Sequence, residues 1–179
     1  IGGTDFDKQL SLAEVMPLLG HRSQLKSGRE MPAGIYFNLA TWHTINFAYT
    51  RQVWAEQQRL HLDAITPELL DRLLALIRDR AGHWLAHQVE EVKIALSNQE
   101  TAQLSLERFS PGQQKLLTRS QFDLAARVLV EKIEAAVARL LPEAGVTASG
   151  IDTVFFTGGS SGIPLLRRRI SALFPQAQV

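Results

Sequence analysis

The stretch that most constrains this chain is Ile151–Ile170, IDTVFFTGGSSGIPLLRRRI, which reads as a strand, a glycine-rich turn and the start of a helix. Ile151, Val154, Phe155 and Phe156 make a short β-branched and aromatic run, the pattern of a strand buried on both faces. Gly158 and Gly159 follow, and without Cβ atoms they let a ligand approach the backbone or let the chain take a positive φ. Ser160 and Ser161 add hydroxyls, and Pro164 suits the first turn of the helix that follows. A strand that ends in Gly-Gly and feeds a helix N-terminus offers free N–H groups and a positive dipole end. That is the chemistry of a nucleotide or phosphate seat; the plainer alternative is a tight strand-to-helix connection with no ligand.

The 179 residues suit one domain or one lobe of a larger protein, long enough to bury a real core. A formal net charge of +1 gives no basic excess to argue for nucleic acid. There are no cysteines, which excludes disulfides and thiolate metal sites and is compatible with a cytoplasmic setting. No apolar run approaches the roughly 18 residues that a membrane span needs, so no membrane partner is expected. The chain opens Ile1-Gly2-Gly3 and closes on Ala177-Gln178-Val179, which looks like the first residues of a strand, so a piece of a longer protein is expected.

Thr4 reads as the cap of an opening helix, with Asp7 three residues on as its capping-box partner. Asp5 and Asp7 suit the positive end of that helix better than a metal. Pro17 ends or kinks the helix, and Gly20 is a natural C-cap. His21–Gly34 is rich in turn formers and reads as a surface loop. From about Leu39 helical spacing puts Trp42, Ile45 and Tyr49 on one side, and the aromatic cluster around them reads as core. Thr66-Pro67 starts a helix carrying Leu69, Leu70, Leu73, Leu74 and Ile77, and Gly82 kinks or breaks the run before a second segment through Leu96. His83 and His87 stand four apart, but Trp84 occupies the place of a metalloprotease glutamate, and packed or solvated histidines are the expectation. Thr101–Glu107 alternates as a half-buried strand, Ser110-Pro111-Gly112 turns, and Lys115–Thr118 pairs back. Thr118 and Gln121 form a capping box for a long helix with an apolar stripe from Phe122 to Leu140, closed by Pro142 and Gly145.

Three motifs, in order, resemble one family. Ile1–Asp7, IGGTDFD, resembles the LGGEDFD segment of DnaK-type heat-shock chaperones. Glu90–Ser97, EEVKIALS, resembles their nucleoside-binding helix, and Thr157–Pro164, TGGSSGIP, their adenosine motif. Thr118–Phe122, TRSQF, resembles their TRARF helix entry. The segment from His21 to about Leu60 falls outside that likeness and, with Met16–Gly20, looks closer to the YegD-type branch.

The resemblance implies an α/β lobe of an actin-like ATPase (ribonuclease H-like) fold. A helix-rich outer subdomain with a small antiparallel sheet would occupy about residues 5–145. An inner strand–loop–helix unit would occupy about 146–179. It implies an ATP-dependent chaperone-like ATPase that binds ATP or ADP, with Mg²⁺ in the full-length protein. Gly2 and Gly3 would approach the nucleotide, Glu90 accept from the ribose hydroxyls, Lys93 lie along the nucleoside and Ser97 meet the adenine edge. Gly158, Gly159 and Ser160 would line the phosphate and ribose side, with Ile163 against the base. Helical spacing supports part of this: residues 90, 93 and 97 share one helix face, although a Glu–Lys pair on a wet helix has the same spacing. Ile94 and Gly162 stand where many relatives carry arginines flanking the adenine, and each lost cation would cost about 1–2 kcal/mol when desolvated. The resemblance places the catalytic lysine, the Mg²⁺-side aspartates and the phosphate loops outside this stretch, so no catalytic or metal residue is assigned here and no turnover is expected of it alone. Its other implications are a docking surface for a nucleotide-exchange factor or co-chaperone, or another actin-fold ATPase; the EEVKIALS helix argues against a sugar kinase.

Overall fold

A computed structural model describes residues 1–179, a body of helices with one small sheet. Helix α1 (Gly3–Leu10) buries Phe6 and Leu10 against two later helices, α5 (Gly82–Asn98) and α6 (Arg119–Glu143). It is capped two residues earlier than the Thr4/Asp7 spacing predicts. Gly2 is the N-cap, and its N–H donates to Asp5 Oδ2 at 2.7 Å. That leaves Asp7 free to face α5. Beyond Leu10 the helix widens into a π turn (Ser11–Val15), then tightens into a 3₁₀ turn (Met16–Leu19) carrying Pro17. Gly20 closes it at φ 99°, as expected of a left-handed C-cap.

His21–Gly34 folds back on itself, with Leu25 N–H donating to Arg29 O at 2.8 Å, and it buries Leu25 and Met31. A short helix α2 (Gly34–Leu39) comes first, and the helical spacing expected from about Leu39 is met by two pieces, a 3₁₀ turn (Trp42–Tyr49) and α3 (Arg51–Asp63). In a 3₁₀ turn side chains three apart eclipse, so Ile45 and Ala48 share the buried side and Tyr49 falls off it. Ile45 is fully buried, but Trp42 is 52 % exposed, and Phe37 and Phe47 also face outward. The aromatic cluster is therefore only partly core: Tyr36 is buried and donates to Leu19 O at 3.0 Å.

Helix α4 (Pro67–Arg78) pairs with α3 through a three-residue turn, and His61 Nε2 and Asp71 Oδ1 meet at 2.7 Å across them. The break before α5 falls where Gly82 suggested it. A Cβ on Gly82 would lie 2.6 Å from both Ile45 Cγ2 and the Tyr49 hydroxyl. The hairpin of β1 (Thr101–Ser105) and β2 (Gln114–Thr118) is antiparallel, pairing Thr101 with Thr118 and Ser105 with Gln114. β1 stops two residues short of the expected Glu107. Thr118 and Gln121 form the expected box at the head of α6, with Gln121 N–H donating to Thr118 Oγ1 at 3.2 Å. α6 runs past its apolar contacts: Phe122, Ala126, Leu129 and Val130 are buried, but Leu140 is exposed.

The stretch from Ile151 to Phe156 does not form the doubly buried strand its composition suggests. One parallel bridge, Thr153 to Gln178, is all it makes, and Phe155 is 84 % exposed. A ladder needs a neighbouring strand that runs alongside for several residues, and only Gln178 supplies a pairing edge. Helix α7 (Pro164–Ala172) starts at Pro164 as expected and packs Leu166 and Ile170 toward α6. No helix is long and apolar enough to cross a membrane.

Candidate nucleoside-binding site

Three segments far apart in the chain meet at Gly3. A Cβ built there would lie 3.5 Å from Lys93 Nζ on α5 and 3.5 Å from Ser160 Oγ in the Gly-Gly-Ser loop. Both are ordinary contact distances, so a methyl would fit at residue 3, and only a longer side chain would press on the junction. No backbone strain is involved, because the φ of Gly3 is ordinary for a helix.

Lys93 is the charged centre of the junction. It is only 8 % exposed, and its Nζ lies 2.8 Å from Asp7 Oδ1 on α1. Burial raises the Asp7 carboxyl above its ordinary value; Lys93 pulls it back down, and the neighbouring Glu90 carboxylate pushes it up again. Asp7, Glu90 and Lys93 thus form one electrostatic group across the α1–α5 seam. Glu90 is half exposed, has no lysine or arginine partner, and has only the His87 imidazole at 3.8 Å. Its carboxylate is available to accept hydrogen bonds. Ser97 Oγ donates to Lys93 O one turn back at 3.1 Å, which leaves its lone pairs free.

The loop itself opens at Gly158, with φ 84°. Ser161 Oγ donates to the Gly158 carbonyl at 2.6 Å and Ile163 N–H to Ser160 O at 3.1 Å, closing one 3₁₀ turn (Gly159–Gly162). Cβ atoms on Gly2, Gly158, Gly159 or Gly162 would meet nothing within 4 Å, so the glycine surface is open. Gly3, Glu90, Lys93 and Ser160 are therefore brought together. Ile163 is not on that surface: at 1 % exposure its side chain belongs to the core. Ile94 is exposed next to Lys93 in sequence, at the position where an arginine would flank a base.

The other candidate groups have separate partners. Asp5 caps α1 while Asp7 pairs with Lys93. His83 packs edge-on to Trp42 at 4.9 Å, and His87 faces Glu90 and Glu91. No group of three or more His, Cys, Asp or Glu side chains is placed to hold a metal ion. Arg167, Arg168 and Arg169, which sequence spacing reads as a solvated face, splay apart onto partners. Arg167 lies 4.7 Å from the Phe156 ring centre, Arg168 lies 3.6 Å from Asp123 Oδ2, and Arg169 pairs with Glu134. Asp7 is the group that sequence reasoning misses: its Thr4 spacing suggests a local cap, and nothing local signals a partner 86 positions away.

Residues 75–179 match the family model described as Hsp70 protein. The chain is 34% identical over 115 residues to the chaperone protein HscA of Pectobacterium carotovorum subsp. carotovorum (strain PC1), covering 58% of this chain and 18% of that protein. It is 36% identical over 115 residues to the HscA of Yersinia pseudotuberculosis serotype I (strain IP32953), covering 58% and 17%. It is 33% identical over 106 residues to an HscA homolog of Shewanella sp. (strain ANA-3), again covering 58% and 17%. The matched stretches amount to less than a fifth of the length of these curated relatives.

Proposed function

We propose a function from one premise: the chain belongs to the Hsp70 family. It forms the nucleoside side of an ATP-dependent, chaperone-related ATPase with an actin-like fold. Residues of about 5–145 act as its outer subdomain and 146–179 as part of the inner one. The observation that carries this reading is the meeting of Gly3, Lys93 and Ser160 at one point, with an open glycine surface beside them.

The residues present fit a nucleoside. Glu90 offers an unneutralised carboxylate to two ribose hydroxyls, a charge-assisted geometry. Lys93, held at its Nζ by Asp7, stands beside the same edge as a fixed cation. Ser97 keeps acceptor capacity for an amino group of the base. Gly158, Gly159 and Ser160 present backbone and a hydroxyl where phosphate and ribose would lie, and Gly2 leaves room at the entrance. Bound ATP with Mg²⁺ would supply a phosphoanhydride for hydrolysis. This chain supplies binding and orientation, no residue of it is assigned to the chemical step, and it turns over no ATP alone. Metal-dependent hydrolysis by the pure chain would overturn that part. The base is held more loosely than where arginines flank it, because Ile94 and Gly162 offer no cation.

The test is a calorimetric titration with ADP. Glu90→Ala is expected to weaken binding roughly tenfold or more, the size of a lost charge-assisted hydrogen bond. Gly159→Val is expected to weaken it similarly by occupying the open surface. ADP affinity that ignores both changes would refute the assignment. A docking role for the outer body has its own support in Leu62 and Ile65, both exposed at the α3–α4 turn, where a nucleotide-exchange factor or co-chaperone could rest.

A further inference from the structure

A second hollow adjoins the α1–α5 seam. It is a cavity of about 240 Å³ between α1, α5 and the 3₁₀ turn that starts at Trp42. Leu39, Ala40, Trp42, Ala86 and Val89 make its apolar lining, and Thr4, Ser11, Asp7 and Glu90 its polar lining. An apolar cavity of about 150 Å³ takes a benzene ring, so this one has room for two fused rings. Trp42 is half exposed, and its edge-on contact with His83 at 85° holds the indole in one orientation, a ready stacking wall. Leu39 and Trp42 lie outside the residues that match the family model, 75–179.

The charge of the polar lining is unbalanced. Asp7 and Glu90 both line it. Lys93 neutralises Asp7 at 2.8 Å, whereas Glu90 has no lysine or arginine within ion-pair distance. One net negative charge therefore faces an apolar chamber. A plain hydrocarbon would desolvate that carboxylate without compensation, and an anion would be repelled. A ring system with N–H donors and a positive charge satisfies both linings at once.

We propose that this cavity binds a flat, cationic heteroaromatic amine, its fused rings packed against Trp42, Ala86 and Val89 and its N–H donors turned to Glu90 and Asp7. The site stands independently of the nucleoside reading and shares only the seam residues Asp7 and Glu90 with it.

The test is a calorimetric titration of the full chain with 4-aminoquinoline, which is protonated at neutral pH, beside quinoline, which lacks the amino group and is largely uncharged there. Saturable one-to-one binding of 4-aminoquinoline is expected, with quinoline weaker by roughly tenfold. Trp42→Ala and Glu90→Gln should each weaken 4-aminoquinoline by about the same factor. Ala86→Leu, which fills the chamber, should abolish binding. Melting curves establish that each variant is folded, and because Trp42 and Glu90 are half exposed their loss leaves the core intact. ADP titrations of the same variants separate the two sites: Trp42→Ala leaves ADP affinity unchanged, while Glu90→Gln lowers it. Failure of ADP to bind, with 4-aminoquinoline binding intact, would sink the nucleoside reading and uphold this one. The proposal is overturned if the folded chain shows no saturable 4-aminoquinoline binding, or if Trp42→Ala and Ala86→Leu leave its affinity within about twofold.

Discussion

Phe122 and Phe155 are the same residue type in two different kinds of place. Phe122 sits in the first turn of α6, fully buried between the hairpin and α1. Phe155 sits in the run that looks most like a core strand, and it is the most exposed large apolar side chain of the chain. The contrast follows from backbone chemistry. A helix closes its own hydrogen bonds, so the body from α1 to α6 needs only side-chain packing to settle. An extended segment must find partners outside itself. Here Val154 N–H reaches Gln178 O at 2.8 Å and Gln178 N–H reaches Asp152 O at 2.9 Å, and the pairing goes no further. The C-terminal unit is therefore held mainly by α7 and Phe174, with Leu166, Ile170 and Phe174 all buried.

The largest effect that would sharpen this contrast is a pair of identical substitutions. Phe122→Ala should cost about 3–5 kcal/mol in denaturant unfolding. Phe155→Ala should stay within about 0.5 kcal/mol, as surface changes do. Comparable losses at both sites would show that the C-terminal strand is packed after all. The glycines repeat the comparison at smaller scale. Gly82→Ala drives a methyl to 2.6 Å from Ile45 and the Tyr49 hydroxyl, an overpacking worth about 1–3 kcal/mol. Gly159→Ala meets nothing within 4 Å and should leave the melting temperature unchanged, lowering ADP affinity instead. Next comes the seam between sheet and helix. Thr118→Ala removes the acceptor for Gln121 N–H and should cost about 1 kcal/mol, read by thermal unfolding.

What could be read from the sequence was what is decided locally. The Thr118/Gln121 box, the β1–β2 turn, Gly20 as a C-cap and Pro164 at a helix start each depend on residues within a few positions. Apart from the α1 cap, which Gly2 and Asp5 take from Thr4 and Asp7, the failures are decided at a distance. Aromatic clustering puts Trp42 in the core, but at the first residue of the 3₁₀ turn it is half exposed and packs edge-on to His83. The strand at Ile151–Phe156 has the right side chains and lacks the neighbours that would bury them. At the candidate site, the helix face of Glu90, Lys93 and Ser97 was visible as spacing. That Lys93 leans on Asp7 and on the glycine junction is a fact of tertiary packing. Ile163 went the other way: its motif suggested a base contact, and the core claims its side chain.

The Asp7–Lys93 pair carries the subtlest prediction, because its energetic and functional effects should diverge. Burial raises the Asp7 carboxyl even though Lys93 stands 2.8 Å away. A raised acid binds its proton more tightly folded than unfolded. The native state then holds more protons across that window, and stability falls as pH rises from the ordinary carboxylate value of 3.8 through the folded one. Ionised Asp7 is thus less favourable to the fold than its protonated form. Asp7→Asn mimics the protonated form and should melt at or slightly above the parent temperature at neutral pH. The difference should shrink as pH falls below the carboxylate range. The same change releases the ammonium that Asp7 holds beside Gly3 and Ser160, and ADP affinity should fall several-fold. A variant no less stable and weaker for nucleotide would mean that Asp7 is kept for the ligand rather than for the fold. A melting temperature several degrees below the parent at neutral pH would show instead that the ion pair is structural, and the divergence would vanish.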